Sequence, residues 1–424
     1  MTRAGETDNL EDVPQGYDVA VIGGGAAGIV AALSSARRGA AVVVLDRMPR
    51  LGKKILITGG GRCNLSNENL DPGLYTTRAP DLVSRVFAFF GGVAILRFFK
   101  EIGLETVSEA GRVYPVSNQA ASVLKVLEME LARRRVGIIL NFEADRITAS
   151  ADSFTVRAAD GRGIGARAVI LCGGGRSYPA LGSNGSGYRL AEAFGHTLVT
   201  PVPSAVPLLV KDRLCHELQG QKIRARASAS IDGSVRRTSE GDVLFTPYGL
   251  SGTAILDVSE SLSVALHRES AREASVALDL APFLETPALA AEIERRLCGG
   301  WAAEEVLSGI LPEKFRIIAA EILSPTSRSG AGPAASLLAS SLKGRRFPVH
   351  GTRGWNEAEF TAGGIDAREI DPDTLESRLR RRLYFAGEIL DVQGGRGGYN
   401  LAWAWASGHV AGAAAASPAA RNPR

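Results

Sequence analysis

Gly23, Gly25 and Gly28 stand in a G-x-G-x-x-G spacing, directly after the apolar run Tyr17 to Ile22 and at the start of the Ala-rich stretch Ala26 to Arg38. Glycines at these intervals suit a diphosphate. The first allows a tight turn, the second lets backbone approach the phosphates, the third lets helix close on strand, and the helix N-terminus faces the negative charge. Ala26 and Ala27 open that helix. A second apolar run, Ala40 to Leu45, ends at Asp46, eighteen residues past Gly28, where a carboxylate can accept from a ribose hydroxyl. Strand, turn, helix, strand and acid are all present, so the spacing predicts a dinucleotide-binding βαβ unit. The motif alone does not separate FAD from NAD.

Two further glycine clusters narrow the choice. After Arg47, Gly52, Lys53 and Lys54 comes a short apolar run, Ile55 to Ile57, and then Thr58-Gly59-Gly60-Gly61-Arg62-Cys63-Asn64. Such a loop can wrap a polar ring and a phosphate from one side. Near the far end, a strand from Leu383 leads through Gly387, Glu388 and Asp391 to Gly394, Gly395, Gly397 and Gly398. Tyr399, Asn400 and an apolar helix over Leu401 to Ala416 follow. A fingerprint at the start and a glycine-entered helix at the end form the pattern of an FAD fold. The last helix would aim its positive end at the flavin pyrimidine.

The composition agrees with a folded enzyme. Of 424 residues, 45% are hydrophobic and 22% charged, and the 49 glycines are about 12% of the chain against roughly 7% on average. Disorder, coiled coil and collagen are thereby excluded. The formal charge of +4 is only mildly basic, without the concentrated cationic face of a dedicated nucleic-acid domain. Cys63, Cys172, Cys215 and Cys298 lie far apart, which argues against a zinc ribbon, a disulfide framework and a dithiol centre, and favours a reducing cytoplasm. No metal site is expected. The uncharged run Val19 to Ala36 contains four glycines and two serines and fits a strand and helix better than a membrane span. Met1 to Gly16 reads as a disordered, polar N-terminal segment without the features of a signal peptide.

These motifs closely resemble the BaiN/YhiN-like family of FAD-dependent oxidoreductases, the aminoacetone oxidase family. The match also takes in Gly111 to Ser117, Gly173 to Pro179, Leu244 to Thr246, Tyr248 to Gly252 and Thr361 to Ile365. The resemblance implies an α/β fold, a Rossmann-like FAD-binding domain interrupted by an inserted domain with a β-barrel part and a helical part. It implies non-covalent FAD on the Gly23 to Gly28 turn with Ala26 and Ala27, on Asp46, Arg47 and Lys53, and on Gly60, Gly61, Arg62, Cys63 and Asn64. Ala144 is expected beside the adenine, with Gly387, Glu388, Asp391, Gly398, Asn400 and Leu401 completing the set. The chain departs from the family at Pro247, where relatives carry histidine, at Arg396 and at Ser186. The change at Pro247 removes a plausible proton donor.

The expected division is 17–198 with 345–424 for the FAD domain and 199–344 for the insert, split into a β-subdomain (199–283) and a helical subdomain (284–344). A Ser/Gly/Pro linker is expected over Ser324 to Pro333. Ala166 to Cys172 reads as the strand of the crossover into the second domain. Tyr114, Tyr178, Tyr248 and Tyr399 are candidate acids. Tyr248, with Cys63 and Arg62, is taken as the catalytic set, although Cys63 without a resolving cysteine suits positioning better. Basic clusters at Arg133 to Arg135, Lys222 to Arg226, Arg236-Arg237, Lys343 to Arg346 and Arg380 to Arg382 would matter for RNA if they converged. No second G-x-G-x-x-G exists, so NAD(P)H is expected to bind transiently. The reading is NAD(P)H-dependent reduction of a conjugated C=C bond in a small molecule. Alternatives are reduction of a uridine base in RNA to dihydrouridine, oxygen-dependent amine oxidation, or a flavin-binding sensor without turnover.

Overall fold

A computed structural model describes residues 15–323 and 330–417. The chain forms two compact units, one built from the chain up to Pro201 and again from Phe360 onward, the other from Val202–Glu359. Most of the N-terminal segment and the expected linker from 324 to 329 lie outside the described residues. The described chain is already in a strand at Gln15, and a helix begins at Ala331, so Pro333 is helical rather than linker.

In the first unit the main sheet contains β1 (Gln15–Ile22), β2 (Val42–Leu45), β3 (Gly137–Ile139), β4 (Ala144–Ala149), β5 (Phe154–Ala158) and β6 (Gly163–Leu171). They lie in the order β3-β2-β1-β6-β5-β4. β3, β2, β1 and β6 are mutually parallel, while β5 and β4 run antiparallel on the far side. Val42 to Leu45 are all buried, as the inner strands of a parallel sheet covered on both faces require. Helix α1 (Ala26–Arg37) is the crossover from β1 to β2, and α2 (Ala120–Arg133) buries Val123, Leu124, Leu127 and Leu131 on one face before β3.

The second unit is a closed barrel. Its strands are β7 (Leu208–Val210), β8 (Lys222–Ile231), β9 (Ser234–Thr246), β10 (Gly249–Ser251), β11 (Ala274–Asp279) and β12 (Arg345–Thr352), in the cyclic order β7-β10-β9-β8-β11-β12. Helix α3 (Thr253–His267) buries Ala254, Ile255, Val258 and Leu262 against it. Helices α4 (Thr286–Cys298) and α5 (Ala331–Lys343) complete this core. One expected boundary shifts. Residues 345–352 do not begin the return to the first unit, because β12 pairs Phe347 with Val276 and Leu208 with Thr352 to close the barrel. The elements between 284 and 344 are helices, while α3 lies among the barrel strands of the preceding part.

The chain returns to the first unit at Phe360. Strand β13 (Leu383–Phe385) joins β6 in parallel, Val169 opposite Leu383. Helix α6 (Tyr399–Ala415) is apolar on every side and buries Trp403 and Trp405, as a helix surrounded by protein must. Among the described residues no single helix is long and apolar enough to cross a membrane.

Candidate functional site: a dinucleotide cradle

The turn after β1 is tightly determined. A Cβ at Gly23, whose φ is +104°, would collide with the Cys172 carbonyl, and one at Gly28 with the Gly23 carbonyl. At Gly25 a Cβ would meet nothing within 4 Å, so this residue borders open space. Gly25 also caps α1 without any side-chain hydrogen bond, which leaves the first N–H groups of the helix available for an anion.

Helix α6 provides a second such end. Its cap, Gly398 at φ +101°, likewise makes no side-chain cap bond, and a Cβ there would strike the Ser66 carbonyl. The two helices pack in the same direction, for a Cβ at Gly408 would strike the Ala27 carbonyl and one at Gly412 the Ala31 carbonyl. From that contact α6 extends nine residues toward its N-terminus and α1 only one. At 1.5 Å per residue the two positive ends are staggered by about 12 Å along their common direction. A diphosphate at the first end and the pyrimidine edge of a flavin at the second match that stagger.

Around these ends the expected residues take different duties. Asp46 accepts the Gly24 N–H at 2.6 Å and the Met48 N–H at 2.7 Å, so its carboxylate braces the turn as well as offering lone pairs to a ribose. Burial raises its pKa from the usual carboxylate value. Arg47 lies 3.4 Å from Glu143, and Ala144 is buried at the start of β4. The run from Ile55 opens a short 3₁₀ turn that breaks at Thr58, and Gly59, Gly60 and Gly61 follow at positive φ. Gly60 has open space where a Cβ would be. Asn64 is buried, with its Oδ1 lacking a protein partner, and a Cβ at Gly398 would sit 2.8 Å from that atom.

At the C-terminal end, Gly387 at φ +80° lies so close to α1 that a Cβ would be 2.7 Å from the Ala27 Cβ. Glu388 accepts from Lys54 Nζ at 2.7 Å, from Ser177 Oγ at 3.0 Å and from the Thr361 N–H at 2.8 Å. Asn400 is used internally, exchanging hydrogen bonds with the Gly394 backbone at 2.9 and 2.8 Å. Leu401 is half-buried, and the buried Asp391 lies 4.0 Å from Arg78. Uncapped helix ends, glycines facing open space and hydroxyl-binding carboxylates together fit FAD. Lys54 and Ser177 were missed by sequence reasoning. Only the proximity of Lys54 to Gly52 hinted at the first.

Cys63 and Arg62 of the expected catalytic set are both engaged within the first unit. Cys63 is wholly buried, and burial pushes its thiol up to about 12, which suits a packed residue better than a nucleophile. Arg62 lies over the Tyr114 ring at 4.0 Å, binds Glu109 Oε2 at 2.6 Å and donates to Asn118. These contacts make it a brace of the glycine loop. Tyr248 belongs to the second unit, in the β9–β10 turn, with the Arg353 guanidinium 4.6 Å from its ring centre. Pro247 occupies that same turn. Among the histidines, His196 is buried between Glu369 and Ser377, and His409 stacks on Phe90 at 3.8 Å, both structural settings. The described residues contain no group of three or more His, Cys, Asp or Glu arranged to hold a metal.

Three of the five cationic clusters are paired in part with acids. Arg133 and Arg134 pair with Glu130, Arg224 and Arg226 with Glu240, Lys222 with Asp242, and Lys343 with Asp279.

Comparison with known proteins gives a consistent picture. A family model described as the HI0933-like protein Rossmann domain matches residues 17–414. The chain is 39% identical over 409 residues to a 3-dehydro-bile acid delta(4,6)-reductase of Clostridium scindens, covering 94% of this chain and 98% of that protein. It is 29% identical over 411 residues to a ribosomal RNA dihydrouridine synthase of Escherichia coli, covering 92% and 96% respectively. A solved 3-ketosteroid delta1-dehydrogenase from Sterolibacterium denitrificans shares the fold at a TM-score of 0.50 and 13% identity, over 94% of this chain and 99% of that one.

Proposed function

This chain belongs to the HI0933-like family and is a flavin-dependent oxidoreductase, and from that premise we propose that it reduces a conjugated C=C bond in a steroid-like small molecule. The observation that carries the proposal is the 39% identity to a bile-acid reductase across nearly the whole of both proteins. The bound FAD would supply the hydride transfer. The chain's own residues hold it: the α1 N-terminus and Gly25 receive the diphosphate, Asp46 accepts from the ribose, and the α6 N-terminus stabilises negative charge on the pyrimidine side.

We further propose NAD(P)H as the source of hydride, bound transiently because the sequence has no second dinucleotide fingerprint. Tyr248 is the proposed proton donor, as Cys63 is sealed and Arg62 is engaged. Four free cysteines, three of them buried, support a reducing cytoplasm.

The test is anaerobic. NADH or NADPH is added to the FAD-loaded protein while the visible flavin band is followed, and the reduced protein is then mixed with a Δ4,6-unsaturated 3-oxo steroid, with ribosomal RNA, or with oxygen. Rapid return of the flavin band with the steroid alone is the expected result. Return with RNA and not with the steroid would overturn the small-molecule reading in favour of uridine reduction, and a flavin that no nicotinamide bleaches would remove the proposed reductant.

A further inference from the structure

Three polar side chains meet beside the glycine turn, each carried by a segment packed on it. The Gly52 N–H donates to the Gly24 carbonyl at 2.8 Å, and Lys54 follows two residues later. Gly23 is pressed on the Cys172 carbonyl, and Ser177 follows five residues after Cys172. Gly387 is pressed on Ala27, and Glu388 is the next residue. The Lys54 ammonium donates to Ser177 Oγ at 2.5 Å and to Glu388 Oε2 at 2.7 Å, and Ser177, fully buried, donates to Glu388 Oε1 at 3.0 Å.

The members differ in what they have left to offer. Both oxygens of Glu388 already accept from protein donors. An ammonium has three N–H donors, of which Lys54 uses two here, and its side chain keeps 24% of its surface exposed. Lys53, by contrast, sits in none of these contacts. The Lys54 and Glu388 side chains are similarly exposed, 24% and 20%, but the carboxylate is taken up by three protein donors while the ammonium retains one N–H of its own.

We infer that Lys54, and not its neighbour Lys53, is the cation that binds the FAD diphosphate, with Glu388 and Ser177 as positioning residues that hold its ammonium in place. Lys54 supplements the α1 N-terminus with a full charge, as a flexible single-point donor suited to a phosphate oxygen. This inference rests on the FAD reading above and adds to it a residue, a ligand group and a direction of effect.

The test is FAD titration of the apo full chain at low and high salt, by quenching of flavin fluorescence, alongside the midpoint potential of the bound flavin. Lys54→Met is expected to weaken FAD about tenfold or more and to flatten the salt dependence, with the potential unchanged, because the diphosphate carries the same charge in both redox states. Lys54→Arg should recover most of the affinity, and Lys53→Met should stay within about threefold of wild type. Glu388→Gln releases the ammonium and should weaken FAD less than Lys54→Met. Wild-type affinity in Lys54→Met, an equal loss in Lys53→Met, or an equal loss in Glu388→Gln would each overturn the assignment, the last by reducing Lys54 to a strut for Glu388. A shift in potential without loss of affinity would overturn the diphosphate as the ligand. A wild-type chain that takes up no FAD would instead defeat the cofactor reading on which the inference stands.

Discussion

Cys63 shows how little a residue's type says about its role until its surroundings are known. Next to three glycines and an arginine it looked reactive. Its backbone, however, adopts a φ of +61° that turns the side chain into the core, where the thiol is held up to about 12. Cys172 and Cys215 are also buried, and Cys298 is exposed. A thiol reagent at neutral pH should therefore label Cys298 alone in the native protein and all four cysteines after denaturation, as counted by absorbance or mass. Fast native labelling of Cys63 would contradict this burial. Because the folded pKa lies above the ordinary value of 9.0, the thiol's linkage contribution is constant below about pH 9 and falls as pH rises from 9 toward 12. Tyr248→Phe should leave FAD affinity intact and lower turnover by about 10²-fold if the phenol supplies the proton. The resemblance pointed to Lys53, and neither spacing nor composition fixes which way adjacent side chains point. The contacts of Lys54 with Ser177 and Glu388 set the two apart.

Between elements, the closest packing is that of α1 on α6. Gly408 and Gly412 are four residues apart on an Ala-rich helix, and each lies against a carbonyl of α1. Glycine to alanine inside an ordinary helix stabilises by up to about 1 kcal/mol. Here Gly412→Ala is expected to cost about 1–3 kcal/mol, because the methyl must displace α1. A chemical denaturation midpoint at or above the wild-type value would refute the close contact. The same interface holds His409, whose Nδ1 lies 3.0 Å from Ser34 Oγ and whose pKa falls to about 4, chiefly through burial and then through Arg38 and Arg37. The folded state thus keeps this ring neutral where the unfolded chain protonates it. Stability from this source is complete above pH 6.5 and declines as pH falls toward 4, by up to about 3 kcal/mol. His409→Phe should flatten the acid limb of the stability profile over that range. The fingerprint from Gly23 to Asp46 was legible because Gly23 and Gly28 answer local steric demands and Gly25 leaves the helix end open. The Gly408 and Gly412 contact was not, as two glycines in a helix do not name the helix they face.

For the whole molecule, the two units differ in how they use the chain. The barrel unit is continuous from Val202 to Glu359 and has its own core around Phe245, Phe315 and Phe347. Expressed alone, it should unfold cooperatively and be colourless once unbound FAD is removed, as seen by calorimetry and absorbance. A yellow fragment would show that the cradle of the first unit is not sufficient to explain cofactor binding. The boundary at Phe360 could not be read in advance, because the alternation in Arg345–Thr352 suits a barrel strand and a sheet strand equally, and only its partners tell them apart. The first unit, in contrast, is assembled from both ends of the sequence. One uncapped helix end lies near residue 25 and the other near residue 399. During synthesis the fingerprint leaves the ribosome long before its partner helix exists, and the barrel can fold in the interval. A product that stops short of α6 lacks the second uncapped helix end, so the FAD such a truncation retains measures what the first end holds alone.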